Sequence, residues 1–212
     1  MTTADTSPQL VADPRPILHR AIATLVDVAA RVRPDQLVAP TPCPDMDVRT
    51  MLAHLVGVLD RIAALGAGDD PFGVVEAHVP DDDWTGALTA ARARADDAWR
   101  DDVVLERPMA LPWIQGSGAE ILTSYLSELT VHTWDLAVAT DQEPRWDDTV
   151  VAAALAARPI LPATDRRSLY EEISASLGLP EVAMPFAEAV PVADGAPAID
   201  RLVAWNGRDP QR

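Results

Sequence analysis

Residues 119–140 read AEILTSYLSELTVHTWDLAVAT. Within them Leu122, Tyr125, Leu129, His132, Leu136 and Ala139 recur at steps of three and four, the period of one face of an α-helix. Glu128 and His132 are four apart, so their side chains rise from the same side of that helix, one turn from each other. The side they share is the apolar one. A carboxylate turned toward a core must be paired, protonated or bound to a cation, because an isolated buried charge is prohibitively costly. This stretch therefore specifies a long core helix and sets a demand that it cannot meet alone.

Working outward, the same period recurs three times. Leu18, Ile22, Leu25, Val28 and Val32 mark a helix over 14–33, opened by Asp13 and Pro14. Met51, Leu55, Val58 and Ile62 mark a second over 48–65, with Asp47 as its N-cap and Gly66 and Gly68 at its end. Trp84, Leu88, Ala91, Ala95 and Trp99 mark a third over 84–100. A proline-rich connector (34–46) and a Gly/Asp/Pro loop (66–83) separate these helices. The stretch 103–113 reads as a short hairpin or an extended cross-over. Shorter apolar segments follow near 148–158, 165–177 and 197–205, with a Pro/Ala-rich connection over 178–196. The expected fold is all-α in the main, a four-helix bundle with a small C-terminal elaboration. Its expected organisation is a loose segment over 1–12, the bundle over 13–140 and the elaboration over 141–212 packed on the same domain.

Composition narrows the function. Of 212 residues, 33 are acidic and 17 basic, for a net charge of −16. No concentrated positive surface is available for phosphates, which argues against nucleic acid and against anionic membranes. Every basic residue is Arg, so Schiff-base chemistry and a Walker-type lysine are excluded. Cys43 is the single cysteine, which rules out an intrachain disulfide and a cysteine-rich zinc site. No secretory signal is apparent, and no apolar run reads as long enough to span a bilayer, so the cytoplasm is the expected compartment.

His54 flanks the apolar stripe of the second helix and can point into the bundle. Glu128 and His132 alone could simply hydrogen-bond each other. With His54 they form the imidazole and carboxylate set that zinc accepts, leaving a fourth position for water or substrate. Nickel, iron or manganese fit the same donors. His19 and His78 are expected to face solvent. Cys43, with proline on both sides, reads as part of a shaped connector, since nothing beside it in the sequence would lower its pKa. There is no Gly-x-Ser-x-Gly elbow, and Gly116-Ser117-Gly118 is too short for a phosphate loop.

Two stretches carry a family likeness. Thr41-Pro42-Cys43-Pro44-Asp45-Met46-Asp47-Val48-Arg49, running into Leu52-Ala53-His54-Leu55-Val56-Gly57, resembles the N-terminal motif of mycothiol-dependent maleylpyruvate isomerase-like proteins, with Met46 where the family commonly has Trp. Glu128-Leu129-Thr130-Val131-His132-Thr133-Trp134-Asp135-Leu136-Ala137 resembles their second motif. The tail, Pro191-Val192 through Asp200-Arg201-Leu202 to Gly207-Arg208-Asp209-Pro210, is similar to a bacterial subgroup of metal-binding proteins. The resemblance implies a DinB/YfiT-like four-helix bundle. It implies metal ligands at His54, Glu128 and His132, zinc as the metal, mycothiol as co-substrate and pairing as a homodimer. The isomerases also carry a separate C-terminal domain, whereas only about 70 residues follow Ala139, so maleylpyruvate itself is not the expected substrate. The expected function is a thiol-dependent S-transferase or isomerase acting on a small electrophile. A non-catalytic metal- or ligand-binding protein and a metal-dependent hydrolase are the alternatives.

Overall fold

A computed structural model describes residues 13–44, 46–75, 78–178 and 184–211. The first dozen residues, Asp45 in the first motif and residues 179–183 of the late connection lie outside the described residues. The long helices are α1 (Arg15–Ala29), α2 (Val48–Ala67), α3 (Trp84–Ala98) and, after a short α4 (Asp102–Glu106) and a hairpin, α5 (Gly118–Ala139). Each begins and ends within a few residues of its apolar stripe. The chain is mainly helical, and the one sheet among the described residues is the hairpin of β1 (Pro108–Leu111) and β2 (Ile114–Ser117). The hairpin reading of this region holds, but Asp102–Glu106 before it is helical rather than extended.

The four long helices close a ring. α1 packs on α5 and α3, and α2 packs on α3 and α5. The inward residues are those of the stripes, among them Ile22, Leu25, Met51, Leu55, Ile62, Leu88 and Leu122, all essentially inaccessible to solvent. By length and hydropathy α2 is apolar enough to cross a membrane, contrary to the sequence reading, but about half of that span (56%) is buried inside the protein. Its apolarity serves the contacts with α3 and α5.

Beyond the ring, α6 (Asp148–Ala156) packs on α5 and α1, and α8 (Ala198–Trp205) packs on α6 and α5. These contacts change the character of α5. A single apolar face was expected, yet from Leu129 to Ala137 every residue is buried. Thr130 and Thr133, which are not among the stripe residues, are accommodated by donating to the carbonyls of Leu126 (2.7 Å) and Leu129 (2.6 Å). Between α6 and α8, Arg166 at the start of α7 (Arg166–Ser176) is fully buried, and its guanidinium donates to the carbonyls of Pro162, Ala187 and Trp205.

Local chemistry sets the helix starts that matter for the site. Ser117 and Glu120 form a reciprocal capping box at the start of α5, so Gly116-Ser117-Gly118 is a helix entry. Gly68 ends α2 in the left-handed conformation (φ 87°). At the other end of α2, the Asp47 carboxylate accepts from the Thr50 amide at 2.8 Å. Those Thr50 interactions hold the carboxyl below its ordinary value. Asp47→Ala is expected to cost about 1 kcal/mol. Because the folded-state value is depressed, that contribution is complete above the unfolded carboxyl pKa and fades as pH falls through the folded one. Urea melts of the two proteins should therefore differ at neutral pH and converge in acid.

Candidate metal centre

α2 and α5 cross so that His54 meets Glu128 and His132. The three offer one ligand atom each, all within 4.8 Å of one another. His54 Nε2 is 3.3 Å from Glu128 Oε1, and the two imidazoles meet edge to face with centroids 5.1 Å apart. His132 is fully buried, while the His54 and Glu128 side chains keep 15% and 20% of their exposure. The cluster is thus closed at His132 and partly exposed at His54 and Glu128.

Its polar atoms are not satisfied by the protein. The Nε2 atoms of both His54 and His132 are buried without a hydrogen-bond partner, His54 Nε2 having the Glu128 carboxylate at 3.3 Å as an ion-pair neighbour. Buried polar atoms are nearly always paired, so two orphaned imidazole nitrogens beside one carboxylate call for an absent group. A divalent cation fits, since it accepts both nitrogens and the carboxylate oxygen together.

Electrostatics agree with the donor types. Burial alone would raise the Glu128 carboxyl, but the adjoining His54 ring, aided by Arg61 and His132, holds it down to about 2. Burial pushes the His132 imidazole below its ordinary value, against the pull of Asp135. The two shifts favour an ionised Glu128 and a neutral His132, the forms in which these two groups bind a metal. Tyr170 from α7 also lies within electrostatic reach of Glu128, and burial pushes its phenol up to about 12.

The other nitrogen of His132 is occupied. Its Nδ1 lies 2.9 Å from Asp135 Oδ2, and Asp135 in turn accepts from Arg208 Nε (3.1 Å) and Nη2 (2.8 Å). Burial would raise the Asp135 carboxyl, but the bonds from His132 and Arg208 outweigh it and keep the group ionised. Phe186 stacks on the His132 ring at 5.0 Å, and the Arg208 guanidinium lies over Phe186.

A second trio, Cys43, His132 and Asp135, is equally compact and wholly buried. It is a poorer cation site. Both Asp135 oxygens are engaged by a guanidinium, which supplies the positive charge a metal would bring. Cys43 sits at the tip of the connector, whose base is closed by the Thr41 amide on the Met46 carbonyl and the Val48 amide on the Ala39 carbonyl. The thiol lies 3.8 Å from the Pro185 carbonyl and interacts with Arg208. The cationic neighbour missing from the adjacent sequence is thus supplied by the fold.

Neither of the other two histidines is among the grouped donors of the described residues. His19 is not simply solvent-facing: its Nε2 lies 2.8 Å from Asp96 on α3, with both side chains partly exposed. His78 is exposed in the loop after α2.

The profile of the mycothiol maleylpyruvate isomerase N-terminal domain matches residues 18–137, a span from α1 through both halves of the cluster. The chain belongs to that family. Uncharacterised proteins from two strains of Mycobacterium tuberculosis are similar to it, each 27% identical over 201 residues, or 92% of this chain and 98% of theirs. No solved structure matches the chain.

The family match ends at Ala137, while Arg208 and Phe186 lie well beyond it. Neither was singled out from the sequence as a site residue, and neither was Asp135. Asp135 had a usable signal, its i, i+3 spacing from His132 on a core helix. Arg208 had only its place in the tail motif.

Proposed function

We propose that His54, Glu128 and His132 hold one divalent metal, zinc foremost, in a bundle of the DinB/YfiT-like kind. On this reading the protein is a metal-dependent thiol transferase or isomerase that takes mycothiol and a small electrophile in the cytoplasm. The observation that carries it is the pair of orphaned Nε2 atoms facing one carboxylate. Family membership supports the thiol. Nickel, iron or manganese would satisfy the same donors, but two imidazoles and a carboxylate suit zinc well.

Zinc held there supplies the Lewis acidity that lowers the pKa of a thiol and keeps it nucleophilic at neutral pH. The chain's own residues do the rest. Glu128 stays ionised and brings the negative charge that offsets the cation. His132 is kept neutral by burial and is turned by Asp135 so that Nε2 faces the cluster. The buried floor under His132 excludes water from one side, so substrates must approach past the partly exposed His54 and Glu128.

Zinc-loaded, tag-free protein is expected to consume mycothiol in the presence of a reactive electrophile, measured by loss of free thiol. Glu128→Ala should reduce this to the uncatalysed rate. If no member of a broad electrophile panel reacted while zinc stayed bound, the enzymatic reading would fall in favour of a binding protein. Ester or amide cleavage without added thiol would favour metal-dependent hydrolysis instead.

A further inference from the structure

We infer that Arg208 is a positioning residue for the metal centre: acting through Asp135, it fixes His132 with Nδ1 as donor and Nε2 as the free lone pair. The inference rests on the metal reading above for its purpose. Its geometry, however, stands without a metal.

An ionised carboxylate only accepts, so His132 Nδ1 at 2.9 Å from Asp135 carries a proton, and in the neutral ring the lone pair lies on Nε2. Histidine ligands commonly have their tautomer and ring orientation fixed by such a partner. What is specific here is how the carboxylate is held. Arg208 approaches side-on, with Nε to Oδ1 and Nη2 to Oδ2, the paired geometry a guanidinium offers and an ammonium cannot. Its remaining nitrogen, Nη1, donates to the carbonyls of Pro185 (2.6 Å) and Asn206 (2.8 Å). Arg208 is 2% exposed and Asp135 inaccessible, so neither group has water as an alternative partner. The same guanidinium lies over Phe186, which stacks on the His132 ring. One side chain from the tail therefore braces His132 both through its hydrogen bond and through its stacking partner.

The backbone is shaped to deliver that side chain. Gly207 has φ 79°, and a Cβ there would lie 2.6 Å from the Ala187 carbonyl oxygen. Only glycine lets the tail pass this point, one residue before Arg208.

The test compares wild type, Arg208→Gln, Arg208→Lys and Gly207→Ala. In metal-free protein at neutral pH, long-range 15N–1H correlation spectra report which nitrogen of His132 bears the proton. Wild type should show a single Nδ1–H form, and Arg208→Gln a mixture of tautomers. Zinc affinity by chelator competition should fall about 10- to 100-fold in Arg208→Gln, the loss usual for an outer-shell partner of a metal ligand. Arg208→Lys keeps a cation beside Asp135, and with it the fold, and should give an intermediate tautomer ratio and affinity. Gly207→Ala, which changes no charge, should shift both in the same direction as Arg208→Gln.

A purely structural role would lower the melting temperature of Arg208→Lys while leaving tautomer and affinity at wild-type values; that result would overturn the inference. If wild type took up no zinc while Arg208 still controlled the tautomer, the metal reading would fail and the positioning of His132 would stand.

Discussion

Replacing any one of His54, Glu128 or His132 by Ala is expected to leave the protein without stoichiometric zinc after dialysis, whereas His19→Ala and His78→Ala retain it. The three donors come from two helices, and their ligand atoms all lie within 4.8 Å of one another. Zinc bound by four protein ligands gains roughly 10–16 kcal/mol, so each ligand lost costs about 3 kcal/mol, or about 100-fold in affinity. His54→Ala is the most telling of the three, because the Glu128–His132 pair lies on one helix and would survive it unchanged. Zinc retained by His54→Ala at wild-type affinity would show that α2 contributes no ligand. The control substitutions are informative for a physical reason: His19 is engaged with Asp96, and His78 is exposed in a loop.

The second large effect concerns stability. Asp135→Ala removes the partner of a guanidinium that has almost no access to solvent. Leaving one member of a buried ion pair uncompensated typically costs about 3–5 kcal/mol. That is a substantial part of the roughly 5–15 kcal/mol by which a domain of ordinary stability is folded. Urea denaturation should show the loss as a lower midpoint at unchanged slope. The double substitution Asp135→Leu/Arg208→Met, which removes both charges, should recover much of it, since well-packed apolar replacements of a buried pair are often neutral. A single variant within about 0.5 kcal/mol of wild type, the ordinary range for a surface change, would mean that the Asp135–Arg208 pair is not closed to solvent.

How much could be read from the residues varied with the range of the interaction. The helix through Glu128 and His132 follows from spacing alone, and so do the inward sides of α1, α2 and α3. The capping box of Ser117 and Glu120 was equally present in the sequence, as Ser-x-x-Glu before an apolar run, though the glycines on either side of Ser117 dominated the reading. The burial of α5 on every side from Leu129 to Ala137 could not be seen that way. It arises when α6 and α8, from later in the chain, pack on α5 outside the stripe. His54 could be placed near an inward face by phase, but its meeting with Glu128 depends on how two helices cross. Arg208 lies 73 positions from Asp135. No periodicity links them, and an arginine in a short polar tail ordinarily reads as solvated. For the same reason Cys43 looked electrostatically isolated, since the guanidinium beside it comes from the far end of the chain.

The most direct test of the proposed centre is X-ray absorption spectroscopy at the zinc edge, on tag-free protein loaded with one zinc per chain in thiol-free buffer. With His54, Glu128 and His132 as ligands, the first shell should contain only nitrogen and oxygen at about 2.0–2.2 Å, with the multiple scattering of imidazole. Addition of mycothiol should then bring in one sulfur. A sulfur shell at about 2.3 Å before any thiol is added would place the metal on Cys43 instead and contradict the assignment.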